Sequence, residues 1–473
     1  MDNILKIAVI GDPNKGKSSF VSTLAYDDGV SVSSKSGETT LSSCHPLKIA
    51  NERVYELYDT PGFNNDEELL DYIEDNEANF EDFYSLINAF IQSYKNNSAY
   101  SKDIEICKIL IKKPIIIYIA DNSLEYNSNY NCQLEIIKKF NLSSFLIFNQ
   151  KENIDKRSTW INSTSEYFIS SFEFNVLSSN FNNKINFLKM LETKIKEDKS
   201  KIQLNKSIKI LNKDFKRRLE FSFSNLSDSF YKIINHTSEY KEMNFLESDI
   251  KKKEKEFIDK IKNIEKAFYL LVEKEWGFNN LDKDVQYLKD IQIDSNEYTQ
   301  LFGVSKKVLI VLGALIGGTT GGSIGFSLDS ASLFGSMGMG TAFFALGGTI
   351  TGSLSVLGIT NLVDKKTKGF GKQKITILGP LKLNYKLAIL AKMYFFVELI
   401  SKRSHANRNT FNFKENENLM EKLFNKENRN KIVKILNIKE KEIFIKDLNL
   451  LLIKNYLNDK KEKTQSLQLL LKA

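Results

Sequence analysis

The chain has 473 residues, 42% of them hydrophobic and 27% charged, with a formal net charge of +8. Such a composition excludes a wholly disordered chain and leaves room for two to four globular domains. The basic residues are dispersed without an arginine-rich stripe, which argues against specific nucleic-acid binding, while a mild positive excess suits an anionic membrane surface.

The three cysteines (Cys44, Cys107, Cys132) show no metal-ligand spacing and fit a reducing compartment. Three histidines (His45, His236, His405) leave little basis for a zinc site or a histidine-based triad. Apolar residues begin at once with Ile4 to Ile10, so a strand and no signal peptide are expected there.

Directly after that strand comes Gly11-Asp12-Pro13-Asn14-Lys15-Gly16-Lys17-Ser18. The octapeptide fits the phosphate-binding P-loop pattern, with Ser19 to Ala25 opening a helix behind it. Backbone N–H groups and a helix N-terminus then face the same point, which makes an anion site that Ser19 helps to line. Lys17 is placed to reach the β- and γ-phosphates, and Ser18 to hold Mg²⁺.

A polar loop from Asp27 to Ser43 follows and contains Gly37-Glu38-Thr39-Thr40. A threonine here can ligate Mg²⁺ only when a triphosphate is bound, which makes the loop a candidate ordering switch. The next strand, Arg53 to Tyr58, ends in Asp59-Thr60-Pro61-Gly62. Asp59 can bind Mg²⁺ through water, and the Gly62 N–H can face a γ-phosphate.

Residues 66–112 read as a helical insert. Strands are expected at Ile115 to Ala120, Ser144 to Phe148 and Phe172 to Leu177. With helices between them, the first 200 residues form an α/β doubly wound, mostly parallel sheet.

The order of these motifs resembles the translation-factor-related P-loop GTPases, on the Era, TrmE and septin side of that class, over residues 1–200. The resemblance implies GTP or GDP with Mg²⁺ as ligands, and hydrolysis of GTP to GDP and phosphate. It assigns the switch role to Thr39, because the family threonine sits in a Gly-x-Thr sequence. It also implies that guanine is read by an Asn-Lys-x-Asp sequence, at the position where this chain has Asn149-Gln150-Lys151-Glu152. Glutamate can accept the same two N–H bonds but is one methylene longer. Asp155 is a rival carboxylate, and a plain polar loop is the alternative, so an ATPase stays open. Ser178 in the last loop is a further candidate for the base.

Ras-like enzymes carry a catalytic glutamine after the switch glycine, and here that residue is Phe63. In potassium-activated members of the class an asparagine at the fourth P-loop position helps to hold a monovalent cation. By that resemblance Asn14 becomes a K⁺ ligand that substitutes for an arginine finger, the alternative being an asparagine that only tolerates the turn. Lys17, Thr39, Gly62 and Asn14 are thus the expected catalytic set. The implied enzyme is slow, stimulated by K⁺, and self-associates through its nucleotide faces or is assisted by a protein partner.

Residues 201–300 are helical and charged. Phe257, Ile261, Ile264, Phe268 and Leu271 recur at helical spacing, as do Leu211, Phe215, Leu219, Leu226, Phe230 and Ile233. The pattern suits either a coiled-coil stalk, through which copies could associate, or an ordinary bundle.

From Val308 to Val363 the sole ionisable residue is Asp329. Glycines recur four apart, as in Gly313 and Gly317 or Gly348 and Gly352, a spacing that brings helices close in lipid. Residues 306–364 therefore read as a glycine-rich transmembrane hairpin, with a buried soluble helix pair or a flexible loop as alternatives. Lys306 and Lys307 precede it, and Lys365, Lys366, Lys368, Lys372 and Lys374 follow. That arrangement places both ends, and the G domain, on the cytoplasmic side of the inner membrane.

Residues 365–473 are expected to be mostly helical, with an amphipathic helix over Tyr385 to Arg408. Lys402 to Arg408 resembles an Arg-x-His stretch in bacterial GTPases that carry a C-terminal domain of unknown function. The resemblance implies membrane association and no known substrate. A membrane scaffold with little turnover and a pore-forming effector remain the rival functions.

Overall fold

The computed structural model describes residues 4–27, 30, 41–149, 154–242, 247–278, 363–368, 374–381, 383–407, 423 and 426–461. Thr39, Gln150, Glu152 and the expected hairpin up to residue 362 lie outside the described residues. The chain divides into two units. The first comprises 1–216, 277–280 and 401–408; the second comprises 217–276, 281–400 and 409–473.

Six strands make the sheet of the first unit among the described residues: β1 (Leu5–Ile10), β2 (Ser43–Ile49), β3 (Glu52–Asp59), β4 (Ile115–Ala120), β5 (Ser144–Phe148) and β6 (Ser170–Glu173). Their order is β2-β3-β1-β4-β5-β6. All neighbours run parallel except β2, which pairs antiparallel with β3. Every residue of β4 and β5 is buried, as a parallel sheet covered by helices on both faces requires.

Two strand expectations change. Strand β2 begins at Ser43, where the polar loop ends, and adds an edge strand that no motif marks. It is joined to β3 through Ala50 and Asn51, both at positive φ (49° and 65°), the backbone of a two-residue hairpin turn. The last strand lies at 170–173 instead of 172–177. Phe174 N–H still donates to Phe148 O at 3.1 Å, after which the chain turns toward the loop at 175–179.

Helix α1 (Lys17–Ala25) follows the glycine loop. The segment after Gly62 forms α2 (Asp66–Asn76), α3 (Phe83–Tyr94) and α4 (Ser101–Leu110). Their apolar faces supply Leu69, Ile73, Leu86, Phe90, Ile106 and Leu110 to one core with Ile116, Tyr118 and Leu146 of the sheet. Helices α5 (Asn131–Lys139), α6 (Arg157–Thr164) and α7 (Phe181–Lys194) complete the cover.

The long α8 (Asp198–Ile234) buries Leu211, Phe215, Leu219, Leu226, Phe230 and Ile233. In α9 (Glu247–Glu275) the buried face is Phe257, Ile261, Glu265, Phe268 and Val272. The spacing had selected Ile264 and Leu271 for it, yet Leu271 is 42% exposed.

Within the second unit these helices form a bundle instead of a two-helix stalk. They pack against α10 (Leu383–Lys402) and α12 (Lys441–Lys461), with α11 (Lys426–Leu436) beside α12. Phe223 of α8 stacks on Tyr394 at 5.6 Å and meets Tyr456 at 5.8 Å. Tyr269 of α9 meets Phe396 at 4.5 Å.

Helix α10 is not amphipathic but buried on nearly all sides, from Leu387 to Ser401. Its Lys392 is reconciled with that setting by Glu265, 2.6 Å away, whose carboxylate also accepts the Tyr269 hydroxyl.

A small sheet in the same unit has the order β7-β9-β8, formed by β7 (Ser238–Glu242), β9 (Lys374–Leu381) and β8 (Val363–Lys368). Lys365, Lys366 and Lys368, expected as a basic flank, lie on β8 and pair with β9. Among the described residues no helix is long and apolar enough to cross a membrane.

Lys392→Met leaves the Glu265 carboxylate buried without its cation and is expected to cost about 3 kcal/mol. Adding Glu265→Gln should recover most of that loss. Urea unfolding followed by circular dichroism measures both; equal stabilities for wild type and Lys392→Met would refute the ion-pair account.

Candidate functional site

The site forms where parallel strands end. Register pairs Val9 of β1 with Asp59 of β3, and Ile10 with Tyr118 of β4. Gly11 and Thr60 therefore leave adjacent strands at the same edge, the place where α/β sheets bind ligands. Thr60 Oγ donates to Val9 O at 2.7 Å and fastens the two exits together.

Across the glycine loop the backbone reverses through Asn14 at φ 63° and Gly16 at φ 101°. A side chain at Gly16 would collide with the amide nitrogen of Asn149. That closeness is functional geometry: Asn149 Nδ2 donates to Lys15 O at 2.9 Å, so the loop after β5 supports the glycine loop. Gly62 is equally constrained, since a Cβ there would lie 2.7 Å from Pro13 Cδ.

Lys17 is buried with its ammonium turned back on the loop, donating to Gly11 O at 2.7 Å and Asp12 O at 2.8 Å. Burial pulls its pKa down to about 8, although the Asp59 and Asp12 carboxylates favour the charge. A polyphosphate would add anionic charge beside this buried ammonium.

Ser18 Oγ donates to Asp59 Oδ2 at 2.6 Å. Burial raises the Asp59 pKa, opposed by the Ser18 hydrogen bond and by Lys17. Among the described residues the buried Oδ1 of Asp59 meets no hydrogen-bond donor. An orphaned carboxylate oxygen beside a hydroxyl is a hard-oxygen donor pair, which fits Mg²⁺.

Several participants were not legible from motifs. Asp103 of α4 is fully buried and accepts the N–H groups of Asn64 (2.9 Å) and Asn65 (3.2 and 3.3 Å). The helical insert thereby holds the segment after Gly62. Phe63 itself packs against the core under α2–α4, which excludes it from orienting water.

Gln133 donates to Asp12 Oδ1 at 3.2 Å and accepts the Tyr118 hydroxyl at 3.0 Å. Asn175, rather than Ser178, organises the last loop, since its Oδ1 accepts the N–H groups of Leu177 and Ser178, both at 3.1 Å. The rival base reader Asp155 is exposed and engaged by the Arg157 guanidinium. Asn14 is exposed, and its left-handed backbone is one that asparagine tolerates well.

Residues 6–121 match the 50S ribosome-binding GTPase family, MMR_HSR1. GTPase Der of Buchnera aphidicola subsp. Baizongia pistaciae (strain Bp) is 38% identical over 74 residues, which span 16% of this chain and 16% of that protein. Residues 164–448 match a domain of unknown function, DUF3482, over more than half of the chain. The chain belongs to the DUF3482 family, and its N-terminal residues 6–121 are similar to the P-loop GTPase domains of the 50S ribosome-binding GTPase family.

Gly16→Ala forces a side chain into a positive-φ position and against Asn149. Strain of this kind costs about 1–3 kcal/mol, so GDP affinity is expected to fall roughly tenfold or more. Calorimetric titration checks it, and an unchanged dissociation constant would contradict the contact.

Proposed function

We propose that this protein is a slow GTP hydrolase whose turnover responds to K⁺. The observation that carries the reading is the convergence of Lys17, Ser18, Asp59 and Asn149 on one glycine loop, with bonds of 2.6 to 2.9 Å fixing them.

In this reading Lys17 exchanges its two carbonyl acceptors for β- and γ-phosphate oxygens. The loop N–H groups and the α1 N-terminus hold the remaining negative charge. Ser18 and Asp59 would hold Mg²⁺, which when bound neutralises charge on the β- and γ-oxygens. Gly62 lies against Pro13, so its N–H is carried at the phosphate end of the loop. With Phe63 packed against the core, the position after Gly62 offers no base, and catalysis rests on positioning and charge. Asn14, exposed at the tip of the loop, would contribute its amide oxygen to a monovalent cation.

Membrane attachment is the second part of the proposal. It is supported by composition: Val308 to Val363 contain one ionisable residue, long enough in uncharged sequence for a hairpin across a bilayer. Anchoring there would keep the GTPase domain on the cytoplasmic face. Recovery of the full chain in the soluble fraction after carbonate extraction would remove this part and leave the rest standing.

Lys17→Ala should abolish binding of labelled GDP. Single-turnover hydrolysis of GTP should run several-fold faster in KCl than in NaCl, and Asn14→Ala should erase the difference. Equal rates in both salts for the wild-type chain would end the K⁺ part. Retained binding by Lys17→Ala would end the assignment of the site.

A further inference from the structure

The Arg-x-His stretch at the end of α10 is not used by the reading above, yet it belongs to the first unit together with residues 277–280. Ser404 is 2% exposed and its hydroxyl donates to Val176 O at 2.6 Å. Ser404 Oγ also lies 3.0 Å from Oγ of Thr23, a residue fully buried on α1. With the Ser404 proton on Val176 O, Thr23 Oγ is the donor across the 3.0 Å contact, and it also lies 2.8 Å from Ser19 O and 3.3 Å from Val176 O.

One hydroxyl therefore joins two parts of the nucleotide site. Thr23 is six residues along α1 from Lys17, about 9 Å at the helical rise. Val176 leads directly into the loop that Asn175 organises on the base side.

The neighbouring side chain secures the junction. His405 stacks on Phe278, with ring centroids 4.2 Å apart and planes 6° apart, and meets the edge of Tyr26 at 5.5 Å. Tyr26 is the residue that ends α1. Gly277, at φ 78°, lets the chain pass Tyr26, since a Cβ there would lie 3.1 Å from Tyr26 O. Arg403 closes the turn by donating to Asn407 O at 2.9 Å.

These partners come from separate regions. Thr23 falls in the segment that matches the GTPase family, whereas Val176, Phe278, Ser404 and His405 fall in the segment that matches DUF3482.

We propose that Ser404 is a positioning residue for the nucleotide site, and that the DUF3482 segment sets how long the GTPase domain retains its nucleotide. The inference rests on guanine-nucleotide binding at the glycine loop. Ser404 touches neither phosphate nor base; it fixes the spacing between α1 and the base-side loop. Losing it loosens the grip on the bound nucleotide without altering the charges that act on the γ-phosphate.

Stopped-flow release of a fluorescent GDP from the full-length chain tests this. Ser404→Ala is expected to speed release about fivefold or more, while kcat at saturating GTP stays within twofold of wild type. Thr23→Val should also speed release, and the double variant should add little, because both remove one shared contact. A purely structural role would lower the melting temperature and leave release unchanged.

Release within twofold of wild type in folded Ser404→Ala overturns the proposal, and so do fully additive effects in the double variant. Where Ser404→Ala does not fold, Phe278→Leu, which only loosens the His405 stack, must speed release in the same direction; unchanged release there overturns it too. A wild-type chain that binds no guanine nucleotide would instead refute the GTPase reading itself, a result that the wild-type titration reveals first.

Discussion

The parallel pairing of β1 with β3 is the constraint on which the remaining structure depends. Val9 lies opposite Asp59, so the glycine loop and the Asp-Thr-Pro-Gly turn leave the sheet side by side. A slip of one residue would turn Asp59 to the other face and separate it from Ser18. The register is held by burial: Ile7, Ala8, Val9 and Ile10 are fully inaccessible, as are Leu57 opposite Ile7 and Tyr55 opposite Leu5. Hydrophobic packing that never touches a nucleotide thus determines whether two oxygen donors meet.

Around that pairing the polar groups show a division of labour. Asn149 holds the glycine loop from one side, Gln133 holds Asp12 from another, and Asp103 holds the segment after Gly62. Each is a side chain that ties down backbone or side-chain groups of the loops around the site. Such contacts preorganise the loop, so less ordering is required when an anion arrives. Lys17 is the exception. Its burial disfavours the charge that it needs, which gives the site a reason to take up polyphosphate.

The parts legible in the sequence are those encoded locally. Gly11 to Ser18 and Asp59 to Gly62 declare themselves because strand, turn and helix are contiguous, and because glycine is demanded by contacts with Asn149 and Pro13. β2 was hidden because its edge position permits Pro46 and Lys48, and because its hairpin turn uses Ala50 at positive φ where glycine is usual. Helix α10 read as amphipathic because Lys392 and Glu398 imply solvent, whereas Lys392 is paired with Glu265 inside the bundle. The same pairing explains the shifted face of α9, where a glutamate occupies a position that periodicity assigns to an apolar residue. Asp103, Gln133 and Ser404 carry no local signature at all; their roles exist only once distant segments meet.

The position of Ser404 also bears on why the two matched families meet where they do. The DUF3482 match begins at residue 164, before β6, so it includes the last strand, the base-side loop and α7 of the sheet domain. A boundary drawn at the end of the six-stranded sheet domain would separate Ser404 from Val176 O and from Thr23 Oγ. Residues 401–408 are in that sense a structural part of the first unit.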